Sequence, residues 1–423
     1  MQNENMATVE ADDLRSTSPV AYKPSQPLPP GAASVFGPKA AFGSPEFARQ
    51  DAAAISPRIE PPPGPIPGWR IAGCLWPAER FVIRIPKQWN GRLVVAGTPS
   101  QRSEFANDRL WSDPLLARGY AYACGNKSLG DGVVVLADGA ALVVSGVTMP
   151  RFNMPNGASV AFWHTEPGNC MQLWMDEFYR LTRLAQSSLE ELHHRAVEVT
   201  YAVGLSNGGN QVRHALEKSD LYAGGLAWNA ALWTVEHNLL RQLPPAIEAM
   251  EAGNAERLLD LDFPPDVRGT DGSSLYQRNL DVYWHATAWV HAATLDPEMS
   301  IPYGDTRDPA RAEAWNGRMG SWRIDRADTI ALRIENYAHT GRLRAKLIDL
   351  ASEYDHLLPP KVHFEPYGRL VAQSGAQDLY RSALIPNAQH VDAWSEDPAY
   401  PQMRPGYPRV LAAFDELVAW VEG

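Results

Sequence analysis

The chain has 423 residues, 45% of them hydrophobic, with 38 Lys+Arg against 49 Asp+Glu and a formal net charge of −11. That is enough apolar material for a large core, and the acidic balance argues against a nucleic-acid partner, whose phosphates would be repelled. No apolar run reaches about 18 residues, so no membrane-spanning helix is expected.

Residues 1–66 are rich in Pro, Ala, Ser and Gly, as in Pro27-Leu28-Pro29-Pro30 and Pro61-Pro62-Pro63-Gly64-Pro65, and read as an extended or disordered leader. Its first residues, Met1-Gln2-Asn3-Glu4-Asn5-Met6, carry no basic patch followed by an apolar stretch, so no secretory signal is expected. The folded body should begin near Trp69, with strands at 81–86 and 92–97 joined through Trp89-Asn90-Gly91. A helical stretch is predicted near 111–118, a strand at 120–124, and a hairpin decorating the sheet over 133–147. Met171, Trp174, Phe178 and Leu181 recur at helical spacing and predict one buried face. A strand at 197–203, a helix at 210–218 and a strand at 223–227 follow. Strands alternating with helices imply a mostly parallel, doubly wound α/β sheet.

Beyond this point the alternation stops. Residues 228–342 are Trp- and Pro-rich with helical pieces, for example near 247–259, and read as a largely helical lid insertion. The strand pattern returns at 345–351, and a last helix from about Pro408 carries the apolar stripe Val410, Leu411, Phe414, Leu417, Val418 and Val421. The expected core is therefore 67–227 with 343–423, interrupted by 228–342. Cys74, Cys124 and Cys170 are far apart and odd in number, which suits a reducing compartment, and cytoplasm is the expected location.

The most informative run is Tyr201-Ala202-Val203-Gly204-Leu205-Ser206-Asn207-Gly208-Gly209: a strand, Gly-x-Ser-x-Gly, then a helix. Small residues two positions either side let the serine occupy a sharp turn at the carboxyl edge of a parallel sheet. Taken alone the pentapeptide also fits an ordinary Gly-rich turn. A serine hydroxyl needs an adjacent base, and the base an orienting acid, here expected in the chain order Ser, acid, His. Asp355 lies just past the strand at 345–351, in Ser352-Glu353-Tyr354-Asp355-His356-Leu357-Leu358-Pro359, with Glu353 its rival. His390 lies in the loop after Leu384-Ile385 and is the expected base; His356 and His363 sit too close to the acid loop. No metal-ligand spacing is present, and no cofactor is expected.

A tetrahedral intermediate needs backbone donors for its oxyanion. Asn207 N–H supplies one, and the loop Gly97-Thr98-Pro99-Ser100 should supply the second; Pro99 has no N–H, which leaves Thr98 as the expected donor. Arg102-Ser103-Glu104-Phe105 stays open between lining the cleft and forming a surface ion pair. Trp228, Trp233, Trp284, Trp289, Trp315 and Trp322 of the central block either shape an aromatic pocket or pack the lid.

On Gly204-Leu205-Ser206-Asn207-Gly208-Gly209-Asn210-Gln211, the Tyr354-Asp355-His356-Leu357-Leu358-Pro359 loop and His390-Val391-Asp392-Ala393, the chain resembles the α/β-hydrolase superfamily. Within it, it resembles the tannase and feruloyl-esterase group and the hydroxybutyrate-oligomer hydrolases. The resemblance covers about four-fifths of the chain and implies an α/β-hydrolase fold and a serine hydrolase acting on a small-molecule carboxylic ester through an acyl-enzyme. Tannase-like enzymes often clamp the acid and base loops with a cysteine pair; no cysteine lies near Asp355 or His390. A peptidase, amidase or lactone hydrolase would use the same triad, and a non-catalytic binding protein could keep the same fold.

Overall fold

In the computed structural model the described residues are 6–17, 33–34, 45–75, 79–100, 102–127, 133–136, 143–144, 147–148, 151–153, 159–162, 168–299 and 323–423. Nine strands form the main sheet: β1 (Met6–Ala11), β2 (Gly68–Cys74), β3 (Arg80–Pro86), β4 (Arg92–Gly97), β5 (Ala121–Gly125), β6 (Val199–Leu205), β7 (Gly224–Trp228), β8 (Lys346–Ser352) and β9 (Tyr380–Ile385). Their spatial order is β1-β2-β3-β5-β4-β6-β7-β8-β9. The six from β5 to β9 in that order pair in parallel, and β1, β2 and β3 are antiparallel additions. This is the α/β-hydrolase fold.

The central strands carry apolar residues on both faces, as a sheet covered on both sides requires. Side chains alternate along each strand. Leu93, Val95 and Ala202 join one apolar cluster, with α2 (Cys170–His193) contributing Met171, Trp174, Phe178 and Leu181. Val94, Ala96, Tyr201 and Val203 join the other, with α7 (Tyr407–Glu422) contributing Val410, Phe414 and Leu417. The helical spacings read from the sequence therefore mark the two faces that cover the sheet.

Between β7 and β8 the chain makes α4 (Leu239–Glu251), α5 (His285–Leu295) and α6 (Asp328–Tyr337). Trp233, Leu243 and Trp284 from this stretch pack into the α2-side cluster. Trp228, Trp233 and Trp284 are fully buried; Trp315, Trp322 and the side chain of Trp289 lie outside the described residues.

Two expectations need correction. The reading of 1–66 as a mostly extended or disordered leader outside the folded body does not hold for the described part of that segment. β1 pairs with β2 from Met6↔Gly73 to Ala11↔Gly68, Leu14 is fully buried, and α1 (Pro45–Ala53) places Asp51 in the interior. Strand pairing uses backbone groups, which composition does not report, and a few buried anchors secure a Pro-rich segment. The stretch 133–147 is not one hairpin: Val133–Leu136 pairs with Ser159–Phe162 and Ala33–Ser34 in a separate small sheet.

Candidate active site

Ser206 stands between β6 and α3 (Asn207–Lys218) with φ 61° and ψ −121°. Such a backbone costs about 1–3 kcal/mol and persists only where the surroundings over-determine it. Here they do. Ser206 N–H donates to Trp228 O at 2.9 Å, and glycines let the backbones close in. A Cβ on Gly208 would lie 2.1 Å from Gly97 O, and one on Gly204 would lie 2.3 Å from Gly208 O. The glycines of the motif are thus a steric requirement of the turn.

Ser206 and His390 both line one cavity. Its wall is mostly apolar, including Ile55, Leu205, Leu239, Leu357, Leu358 and Val391. Behind His390, the fully buried Asp355 accepts Leu357 N–H at 2.9 Å and Leu358 N–H at 2.8 Å on Oδ1, and Oδ2 lies 2.7 Å from His390 Nδ1. A carboxylate acceptor at Nδ1 places the proton there and leaves Nε2 as the basic nitrogen. Among the described residues no hydrogen bond joins Ser206 Oγ to the imidazole; the two residues share the cavity wall. Such bonds commonly tighten only when substrate is bound.

The rivals are accounted for. Glu353 is exposed and its Oε2 accepts Asn387 N–H at 2.9 Å. His356 Nε2 lies 3.0 Å from Pro265 O, and His363 Nδ1 accepts Leu232 N–H at 3.1 Å. Both histidines are buried structural groups outside the cavity wall.

Asn229, at φ 46° just past β7, clamps the acid and base loops. Its Oδ1 accepts Ser352 N–H at 2.6 Å, and its Nδ2 donates to Ser352 Oγ at 3.0 Å and His390 O at 2.9 Å. None of the three cysteines lies in these loops, so hydrogen bonds rather than a disulfide join them.

The structure gives Thr98 a different place from the one expected. Its N–H donates to Gln211 Oε1 at 3.2 Å, its hydroxyl donates to Gly125 O, and it lines a small separate cavity with Lys127 and Glu177. The amide is therefore already engaged on the far side of the loop. Pro99 and Ser100 face Ser206's cavity instead, Ser100 at φ 46°. Lys127 Nζ holds this loop by donating to Thr98 O at 2.6 Å and to Ser100 O. The lysine is buried, and burial pushes its pKa down to about 7 against the opposing pull of Glu177.

Asn207 carries a second attachment. Its side-chain amide lies 2.9 Å from His291 Nε2, and His291 Nδ1 lies 2.8 Å from Thr287 O. With Nδ1–H donating to that carbonyl, Nε2 accepts from Asn207 Nδ2. Burial pushes His291 down to about 4, which keeps it neutral at ordinary pH. Nothing in the sequence distinguished His291 from the other histidines, since its partner lies 84 positions away. Tyr283, Thr287, Ile55 and Arg102 also line the cavity; of these only Arg102 had been considered for the cleft.

The buried histidines should destabilise the fold at low pH. Burial lowers His291 to about 4 and both His214 and His339 to about 3. Their folded pKa values lie below the unfolded value, so their contribution is lost as pH falls below about 6.5. Each costs up to about 1.4 kcal/mol per pH unit in that window. Asp108 and Asp392, raised to about 6 by burial, oppose the trend as pH falls from about 6 toward 3.8. Burial also raises Asp113, Asp349 and Glu396 and lowers His193, His285, His356 and His363, so among the described residues seven such histidines stand against five such carboxyls. Thermal melts should show Tm falling between pH 6.5 and 4; a flat or rising Tm would contradict these burial effects.

Among the described residues no helix is long and apolar enough to cross a membrane. No family model matches the chain, and no curated protein matches it. Solved structures do resemble it. Feruloyl esterase B from Aspergillus oryzae is 13% identical, covering 86% of this chain and 82% of that one at a TM-score of 0.44. An esterase from Aspergillus oryzae is 13% identical over 100% of this chain and 88% of that one at 0.48. A tannin acyl hydrolase from Aspergillus niger is 12% identical over 99% and 83% at 0.42.

Proposed function

We propose that the protein is a serine hydrolase of carboxylic esters. The observation that carries this reading is the buried Asp355–His390 pair opening onto the same cavity as the strained Ser206. His390 Nε2 takes the proton of Ser206 Oγ as Oγ attacks the acyl carbon, and Asp355 stabilises the imidazolium. The alcohol leaves with that proton, and water, deprotonated by His390, releases the acid and restores Ser206.

The oxyanion rests on Asn207 N–H at the start of α3 and, in place of Thr98, on Ser100 N–H. This choice follows from the cavity that Ser100 lines and from the engagement of Thr98 N–H with Gln211. The insertion between β7 and β8, expected over 228–342, acts as a lid, since its Leu239, Tyr283, Thr287 and His291 line the cavity. No described Trp lines the cavity; its apolar wall is made by aliphatic side chains together with Tyr283.

Lys127 is a positioning residue for the 98–100 loop. In Lys127→Met the carbonyls of Thr98 and Ser100 lose their donor, and kcat should fall about tenfold with KM within about twofold, because oxyanion contacts act on the transition state. Equal losses in kcat and thermal stability, or a change in KM alone, would reject that role.

The reading is tested by incubation with a fluorophosphonate followed by mass spectrometry of the peptide that contains Ser206. Stoichiometric modification there is expected, and an unmodified Ser206 would mean a non-catalytic binding protein. A panel of p-nitrophenyl esters against aminoacyl anilides separates an esterase from a peptidase.

A further inference from the structure

Among the described residues in the wall of Ser206's cavity, one is Lys, Arg, Asp or Glu, and it is Arg102. It is 5% exposed, so its guanidinium has been taken out of bulk water. One nitrogen, Nη2, donates to Asp51 O at 2.5 Å and to Asp51 Oδ1 at 2.7 Å. Nε is buried with no hydrogen-bond partner. Asp51 is fully buried and stands outside the cavity wall, with Oδ2 accepting from Ser103 N–H at 3.2 Å and from the Ser103 hydroxyl. The carboxylate therefore sits behind the arginine and fixes it, while the cation borders the cavity.

Nε is closed to the cavity, Nη2 is taken by Asp51, and Nη1, which makes no hydrogen bond among the described residues and is not buried, is the donor that an arriving acceptor meets. An anionic oxygen is the strongest such acceptor, because charge-assisted bonds exceed neutral ones and the apolar wall screens weakly. Asp51 has already ordered the guanidinium, so little side-chain entropy is lost on binding. The neighbouring His291 adds no competing charge.

We propose that Arg102 binds a free carboxylate on the substrate, so that the preferred substrates are half-esters of dicarboxylic acids or esters of similar shape with a remote acid group. This rests on the serine-hydrolase reading of the same cavity. The carboxylate takes no part in bond making. The ester C–O bond breaks, water's hydroxyl joins the acyl carbon, and its proton goes to the departing alkoxide.

The test uses the full chain and the monomethyl esters of glutarate, adipate, pimelate and suberate. Each is paired with a methyl ester of the same length that ends in a methyl group instead of the carboxylate. Acid release is followed in a pH-stat at fixed ionic strength. At least one half-ester should show kcat/KM about ten- to a hundredfold above its neutral partner. In Arg102→Gln that ratio should fall to about one or below, and Arg102→Lys should retain part of it, each variant's neutral-ester rate serving as its own reference. Neutral esters cleaved as well as or better than every half-ester by the unmutated protein would overturn the proposal, as would a ratio unchanged in Arg102→Gln. The unmutated series needs no variant to fold. Should no ester of either kind be cleaved and Ser206 resist the fluorophosphonate, the serine-hydrolase reading itself has failed, which is a different outcome from loss of the preference alone.

Discussion

Replacing Ser206 with Ala is expected to lower kcat on any ester substrate by about 10⁶-fold, the loss typical of removing a nucleophile that works as a unit with its base. The hydroxyl sits at a position the fold holds under strain, between glycines that admit no side chain. Alanine relieves none of that backbone strain and removes only the Oγ that faces the cavity. Stability should therefore change by less than about 1 kcal/mol, as for small changes that leave no cavity or orphaned polar group. Single-turnover kinetics would show no acyl-enzyme. A variant retaining a tenth of the activity would place the nucleophile elsewhere and remove the basis for the mechanism.

The second large effect is at the acid. In Asp355→Asn the side-chain oxygen still accepts from Leu357 and Leu358 N–H, so the amide NH₂ is turned toward His390 Nδ1. Nδ1 must then accept, its proton moves to Nε2, and the nitrogen facing the serine can no longer act as base. A loss of about 10⁴ in kcat is expected with KM little changed, since the cavity wall is untouched. Glu353→Gln provides the contrast: this exposed residue serves only Asn387 N–H, and activity should stay within about twofold of the unmutated protein, the size usual for an exposed site away from the chemistry. Equal losses in the two variants would mean that Asp355 acts through folding rather than through the imidazole.

The strand–serine–helix run, the alternation of strands and helices, and the loop positions of Asp355 and His390 were legible because they are local. A turn too tight for a Cβ demands Gly204 and Gly208 whatever else the chain does, and apolar periods of two and 3.6 mark faces before those faces meet anything. Asp355 and His390 are chosen from chain order along a parallel sheet, whose carboxyl edge gathers successive loops. Within the loop 97–100, expected to hold an oxyanion donor, Thr98 is the residue chosen. Thr98 faces away because Gln211, 113 positions later, takes its amide.

Tertiary structure alone decided the rest. The Pro-rich first segment is read from composition as unfolded, yet its Ile55 lines the cavity and its Asp51 fixes Arg102 across 51 positions. Asn229 reaches His390 across 161 positions, and His291 meets Asn207 across 84. A single asparagine, histidine or arginine has no periodicity and no motif; its role comes from the partner that folding brings to it. The sequence by itself determined which side chains could do the chemistry, through local sterics and hydrophobic period. Only the folded chain determined what holds those groups in place and what charge borders the cavity, because both depend on contacts between segments far apart along the backbone.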